Sequence, residues 1–292
     1  MKRKIFTAIL GIVFLAGASI LLYPSISNWV NQKSQSQAAA VYLGEVEEMD
    51  EKDYSKEKEQ ADQYNQYLRK EYQSLSEANI VETKSRELKY DNILNIGENE
   101  IIGVLEIPAI KVYLPIYHGT EDNVLQVGIG HYIGSSLPIG GESTHAVLTG
   151  HRGLPSAKLL TDIDQLVEKD FFYIHVLDET LAYEVDNIET VLPSELDSMD
   201  ITENKDYVTL VTCTPYGINT HRLLVRGKRI PFTNQAQAVI GEVENNERQE
   251  NALWILAFLI PIICFYIMRV VYRKQKLPEL KHQMNGKGKF YK

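Results

Sequence analysis

Three residues of this 292-residue chain carry side chains suited to nucleophilic catalysis: Cys213, His151 and Arg222. Cys213 ends the run Thr-Leu-Val-Thr-Cys, and the second cysteine lies within an apolar segment near the C-terminus. A thiolate is a good nucleophile, but a thiol is mostly protonated at neutral pH, so a catalytic cysteine needs a neighbouring base or cation. An unpaired cysteine can also be a buried spectator or an intermolecular link. The thiol alone leaves these three interpretations open.

The residues around Cys213 predict a strand, a turn and a returning strand. Residues 207–212 are rich in β-branched side chains, and Thr-Pro-Tyr-Gly at 214–217 is typical of a turn. Cys213 is therefore expected at a strand end, with Arg222 beside it on the strand 222–230. Because side chains alternate along a strand, His221 points away if Arg222 points toward Cys213. This geometry disfavours His221 as the partner of the thiol.

His151 is the preferred histidine because of its context. It follows the predicted strand 146–149 and is flanked by Gly150 and Gly153, which let the backbone turn and leave the ring accessible. His118 and His131 also neighbour glycines, so spacing alone keeps them as alternatives.

Two apolar segments, 5–23 and 252–272, are each long enough to cross a bilayer as a helix. Lys and Arg crowd the outer flank of both, which predicts that both termini are cytoplasmic and that the part between them is extracytoplasmic. A cleaved signal peptide is the alternative for the first segment. The small residues Ala38, Ala39 and Ala40 lie far beyond that segment, which favours a retained anchor.

The extracytoplasmic part is strongly acidic. Residues 24–251 contain 19 basic and 38 acidic residues, a net charge of −19. Such a charge repels nucleic acid, so we expect no nucleic-acid partner.

The composition of this part changes near residue 100. Residues 45–89 are charged, and Tyr64, Tyr67, Leu68, Tyr72 and Leu75 recur at helical spacing, which predicts amphipathic helices that pack on the next domain. The following region is mainly β and suggests a single closed barrel or sandwich. Its predicted strands are 101–107, 112–117, 146–149, 171–176, 181–188, 207–212 and 222–230, with a short helix over 156–166.

The motifs together resemble those of a sortase, a membrane-anchored cysteine transpeptidase of Gram-positive bacteria. The resemblance rests on Leu-Thr-Gly-His-Arg-Gly at 148–153, Thr-Leu-Val-Thr-Cys at 209–213 and Arg222. Leu-Pro-Ile-Tyr-His-Gly at 114–119, Thr-Cys-Thr-Pro-Tyr-Gly at 212–217 and a second apolar span are similar to the class C, pilin-polymerising subgroup. The resemblance covers about residues 100–232 and implies an eight-stranded β-barrel with the three residues at one end.

The resemblance also implies a role for each residue. Cys213 would attack the Thr-Gly bond of a Leu-Pro-x-Thr-Gly-like sorting signal, His151 would transfer protons, and Arg222 would stabilise the oxyanion. Thr149, Thr212 and Thr214 are expected to contact substrate. The implied partners are pilins or surface proteins with such signals and an acceptor amine, either a pilin lysine or a wall peptide. No metal or organic cofactor is implied.

The implied organisation divides the chain into seven parts. They are a cytoplasmic tail (1–4), an anchor (5–23), an extracellular helical region (24–100), the β-barrel catalytic domain (101–232), a linker (233–251), a second transmembrane helix (252–272) and a basic cytoplasmic tail (273–292).

One feature of class C sortases is missing. They usually carry a lid with an Asp-Pro-aromatic motif over the cysteine, and none of the ten prolines here follows an aspartate. Residues 80–100 could cover the site without that motif, or the site is open; we favour an open or loosely covered, lid-less groove.

Other classes of protein fit less well. The sequence lacks the Cys-Gly-Ser-Cys-Trp-like motif of papain-like proteases and the Cys-x-x-Cys of disulfide oxidoreductases. A sortase that attaches proteins to the wall and a non-catalytic, membrane-tethered scaffold for pilus assembly remain alternatives.

Overall fold

The computed structural model describes residues 2–71, 89–97, 99–195 and 197–232. Two helices come first, α1 (Lys2–Glu47) and α2 (Glu51–Glu71), and a four-residue helix, α3 (Asp122–Leu125), follows later. The strands are β1 (Ile101–Ile107), β2 (Val112–His118), β3 (Ile129–His131), β4 (Thr144–Thr149), β5 (Phe171–Val176), β6 (Glu179–Val191), β7 (Asp206–Thr214) and β8 (His221–Ile230).

The eight strands form a closed barrel in the order β1-β2-β3-β4-β7-β8-β6-β5. The pairs β2–β3 and β4–β7 are parallel, and the other pairs are antiparallel. Closure leaves no unpaired sheet edge, and the inward side chains form one apolar core that includes Leu105, Ile116, Leu148 and Phe172. The predicted eight-stranded, mainly β barrel is therefore confirmed.

All seven predicted strands are present, and one further strand, β3, was not predicted. It has only three residues, Ile-Gly-His, and its central glycine weakens the strand pattern in the sequence. Gly130 is needed there because a Cβ at this position would lie 2.4 Å from the carbonyl oxygen of Gly119.

The helix that contains the first apolar segment extends well beyond that segment. Helix α1 passes through Pro24 and continues to Glu47, because its later turns pack on the outer face of the barrel. Ala39, Tyr42 and Val46 are buried there against Ile101 and Val104 of β1. The Leu177 N–H donates a hydrogen bond to the Tyr42 hydroxyl (3.0 Å). The extra packing offsets the cost of a proline inside a helix.

Among the described residues, one helical stretch, Ile12–Glu47, is long and apolar enough to cross a membrane. Its apolar residues before Pro24, such as Phe14 and Leu21, are exposed. The predicted second span, 252–272, lies outside the described residues. Two spans and the cytoplasmic position of both termini therefore stay predictions.

Helix α2 carries the predicted tyrosine stripe. Tyr64 and Leu68 are buried in the barrel core cluster, and Tyr67 packs against it. Tyr72 and Leu75 lie outside the described residues. The amide of Asn65 donates to the carbonyl of Leu137 and its oxygen accepts from the Leu137 N–H, which fixes α2 on the barrel.

The predicted helix over 156–166 is wrong. The segment forms successive turns and a short 3₁₀ helix, Ile163–Gln165. Its apolar residues Leu159, Leu160, Ile163 and Leu166 are buried as the spacing suggested, but Leu159 has φ of 42°. A left-handed residue interrupts an α-helix, so the same apolar pattern is buried by a chain of turns.

Candidate active site

The hydrogen-bonding register brings the three candidate residues to neighbouring strand ends. Thr149, the last residue of β4, is the parallel partner of Val211 in β7. The ladder continues beyond it, because the Gly150 N–H donates to the carbonyl of Val211 (3.1 Å). His151 and Cys213 each lie two residues beyond the Thr149–Val211 pair, so continuing the register would bring them level. The loop after β4 therefore carries the imidazole past the strand end that carries the thiol.

Cys213 and Arg222 are direct partners in the antiparallel pair β7–β8. Directly opposite residues project on the same face, with Cβ atoms about 4.5–5.5 Å apart. Both side chains are partly exposed. Cys213 is a free cysteine. Cys213 and Arg222 thus form a pair at one end of the barrel, and His151 follows the neighbouring end of β4 by two residues.

Backbone carbonyls of the β7–β8 turn hold the Arg222 guanidinium. Nη1 donates to the carbonyl oxygen of His221 (3.1 Å) and to that of Asn219 (3.4 Å). No described carboxylate forms a salt bridge with it. Its remaining donors can therefore bind an anionic group.

His221 lies on the other face of β8, as strand alternation predicts. It is the partner of Thr214, one residue away from the Cys213–Arg222 pair. Its Nδ1 lies 2.9 Å from the hydroxyl of Thr220.

The loop that carries His151 has a fixed backbone on both sides of the ring. The His151 carbonyl accepts from the Leu160 N–H (3.2 Å), and the Gly153 N–H donates to the Thr161 hydroxyl (3.3 Å). Gly153 has φ of 83°, and the ring of Tyr216 packs on the position where a Cβ would lie, 3.0 Å away. The β7–β8 turn and the His151 loop are therefore in direct contact.

The three threonines expected to contact substrate use their hydroxyls inside the protein. Thr149 Oγ1 donates to the Val211 carbonyl (3.2 Å), and Thr212 Oγ1 donates to the Gly150 carbonyl (2.7 Å). Thr214 Oγ1 accepts from Arg152 Nη1 (3.1 Å). Thr212 is 1% exposed, so its hydroxyl joins β7 to the His151 loop. Substrate contact by these residues stays a prediction.

Three other histidines, His118, His131 and His145, have structural roles. His131 Nε2 lies 2.8 Å from the Ser136 carbonyl and must carry the proton, so His131 Nδ1 accepts from the Tyr90 hydroxyl (2.7 Å). Burial lowers the pKa of His131 to about 3 and that of His145 to about 4. Burial also lowers the pKa of His118, whose Nε2 donates to the Ile93 carbonyl. His118 and His131, the alternatives left by sequence spacing, are therefore neutral structural residues near neutral pH.

Arg152 belongs to this region, although sequence reasoning gave it no role. Its guanidinium is nearly buried and bonds to Thr214, next to Cys213. The residues it joins are up to 62 positions apart, so sequence periodicity carries no signal for it. In the described part of the chain, no three His, Cys, Asp or Glu side chains form a metal-binding arrangement.

Comparison with known proteins identifies the fold. Residues 105–230 match the Sortase domain family. The structure of sortase C1 from Streptococcus agalactiae is 46% identical, covers 68% of this chain and all of that chain, and has a TM-score of 0.62. Sortase C of Streptococcus pneumoniae is 44% identical, covers 68% of this chain and 98% of that one, with a TM-score of 0.60.

Among curated relatives, Sortase D of Bacillus subtilis (strain 168) is 30% identical over 131 residues, which is 44% of this chain and 63% of the relative. The chain thus spans less than two thirds of that relative's length. The chain belongs to the sortase family, whose members are cysteine transpeptidases. Its similarity to the sortase C structures assigns it to class C.

Proposed function

We propose that this chain is a membrane-anchored transpeptidase that polymerises pilins. It cleaves a Leu-Pro-x-Thr-Gly-like signal between Thr and Gly and transfers the new acyl group to a lysine amine of another pilin. The geometry that supports the proposal is the direct pairing of Cys213 with Arg222, together with the position of His151 just beyond Thr149, the partner of Val211. The pilin substrates named for the sortase C of Streptococcus pneumoniae support the choice of substrate.

In the first half-reaction, Cys213 attacks as the thiolate while His151 holds the proton. The sulfur forms a bond to the threonine carbonyl carbon, and the carbonyl oxygen becomes an oxyanion. Arg222 stabilises this charge through guanidinium donors that the turn carbonyls leave available. The C–N bond then breaks, and the glycine amine leaves with a proton from His151. The product is a thioester on Cys213.

In the second half-reaction, the acceptor amine attacks the thioester carbonyl. Its proton passes to His151, the C–S bond breaks, and the Cys213 sulfur leaves as the thiolate. The products are an isopeptide and the starting enzyme, so the cycle needs no oxidant or reductant. His151 suits both steps because an imidazole can give and take a proton near neutral pH.

The acceptor amine that the enzyme prefers distinguishes a pilin-polymerising sortase from one that attaches proteins to the wall. The full chain, in detergent, is given a Leu-Pro-Glu-Thr-Gly peptide and either a pilin-derived lysine peptide or a glycine-type wall amine. We expect the lysine product to dominate; preference for the wall amine overturns the pilin assignment. The variant Cys213→Ala should abolish both products, whereas unchanged pilus assembly in that variant supports the scaffold alternative.

A further inference from the structure

Arg152, the residue after His151, makes three separate contacts through its own side chain. Arg152 Nε donates to the carbonyl of Thr161 (3.2 Å), and Nη1 donates to the hydroxyl of Thr214 (3.1 Å). Nη2 pairs with the carboxylate of Asp164. The Arg152 side chain is 9% exposed. Its planar guanidinium therefore joins three segments of the chain from inside the protein.

These contacts connect the two catalytic elements. Thr214 is the last residue of β7 and follows Cys213, while Arg152 follows His151. Thr161 and Asp164 lie on the far arm of the loop that begins at Gly150. The Arg152 side chain thus fixes both arms of the His151 loop to each other and to the strand end that carries the thiol.

Only arginine fits this position. Three different nitrogens of the side chain each bond a different acceptor, and a guanidinium offers five donors in one rigid plane. A lysine ammonium keeps the charge but is a single point at the end of a flexible stem. The positive charge of Arg152 is already paired with Asp164. The main contribution of the guanidinium is therefore the geometry of its donors.

We infer that Arg152 is a positioning residue that sets the placement of His151 relative to Cys213. This inference rests on the proposed function only for the step that His151 performs. A second consequence does not depend on the substrate. The reactivity of the Cys213 thiol depends on a neighbouring imidazole, so a displaced His151 should change that reactivity.

The test uses the full chain with Cys264→Ala as background, so that Cys213 is the only thiol. Arg152→Lys keeps the positive charge but loses the planar guanidinium and its several donors. Thr214→Val removes only the hydrogen-bond acceptor on β7. The matched control is Asp162→Asn, which breaks the Lys158–Asp162 pair (2.6 Å) on the same loop without touching β7. The readouts are kcat and KM for the Leu-Pro-Glu-Thr-Gly peptide and the pH profile of Cys213 alkylation by iodoacetamide.

We expect Arg152→Lys to lower kcat about tenfold or more with KM changed by less than about twofold, since small misplacements of catalytic groups cost that much. Its alkylation profile should shift along the pH axis, and Thr214→Val should shift it the same way by less. Asp162→Asn should match the background in both readouts.

A wild-type kcat and a wild-type alkylation profile in folded Arg152→Lys overturn the inference. An equal effect in Asp162→Asn also overturns it, because loop stability would then explain the loss. If the background protein does not cleave the peptide, the proposed function fails, and the alkylation profile still decides the role of Arg152.

Discussion

Cys213 and Arg222 face each other as direct cross-strand partners in β7–β8. This pairing places a permanent cation within side-chain reach of any carbonyl that the thiol attacks. Because the turn carbonyls of Asn219 and His221 hold one nitrogen of the guanidinium, the group is oriented before substrate arrives. Orientation in advance is what makes an oxyanion donor effective.

Replacement of Arg222 by lysine should lower kcat about a hundredfold or more, as loss of an oxyanion donor does in other enzymes. The melting temperature should change little, since Arg222 is partly exposed and, within the described residues, its hydrogen bonds go to the neighbouring carbonyls of Asn219 and His221. Peptide cleavage and thermal unfolding check this. Lys228→Ala, an exposed residue of the same strand, is the control and should keep full activity. Equal kcat values for Arg222→Lys and the control would contradict the role of Arg222.

Stability should fall as pH drops from 7 to 4. Burial holds the pKa of His145 at about 4 and that of His131 at about 3, whereas an unfolded histidine titrates near 6.5. Between these values the unfolded chain binds more protons than the native protein, so protonation favours unfolding. Each unit of difference amounts to about 1.4 kcal/mol.

Urea unfolding at pH 7 and pH 5 measures this loss. Asp206, whose pKa burial raises, acts in the opposite sense and is the same in every variant. His145→Asn keeps an amide donor for the Asp200 carbonyl and removes the titrating group. The difference in unfolding free energy between the two pH values should be smaller in this variant; an unchanged difference contradicts the prediction.

Helix α1 should protect part of the loop that carries His151. Asn31 and Ser27 donate to the Ser156 carbonyl, and Asn28 Oδ1 accepts from the Lys158 N–H (2.7 Å). Asn28→Ala combined with Asn31→Ala should therefore speed hydrogen exchange in a peptide covering 154–160. Gln32→Ala, an exposed position on the same helix, should leave exchange unchanged. Equal exchange in all three proteins would mean that α1 does not hold the loop.

Cys213 should react readily with small thiol reagents, as expected for an open or loosely covered groove. Its side chain is partly exposed within the described residues, and residues 80–88, the first part of the segment 80–100 that could cover it, lie outside them. In the Cys264→Ala background, replacing 72–88 with a Gly-Ser linker should raise the labelling rate little. This change retains Tyr90, which is buried against His131 and would be lost by truncation before Asn92. A large gain in rate would mean that the segment covers the thiol.

Local sequence pattern was sufficient for seven of the eight strands and for the Cys213–Arg222 relationship. Alternation and a short turn decide which of His221 and Arg222 shares a face with Cys213, and both are local properties. The loop at 156–166 shows where pattern fails, since Leu159 and Leu160 are buried as in a helix while the backbone turns. Long-range hydrogen bonds decide that backbone, including those from α1. The contacts of Arg152 are of the same kind.

The most direct test of the account is the mass of the intact Cys264→Ala chain after incubation with a Leu-Pro-Glu-Thr-Gly peptide and no acceptor amine. The account predicts an adduct equal to the acyl fragment ending at threonine, located on Cys213, removed by hydroxylamine and missing in Cys213→Ala. Cleavage of the peptide that persists in Cys213→Ala, or no adduct and no cleavage in the protein with Cys213, would contradict it.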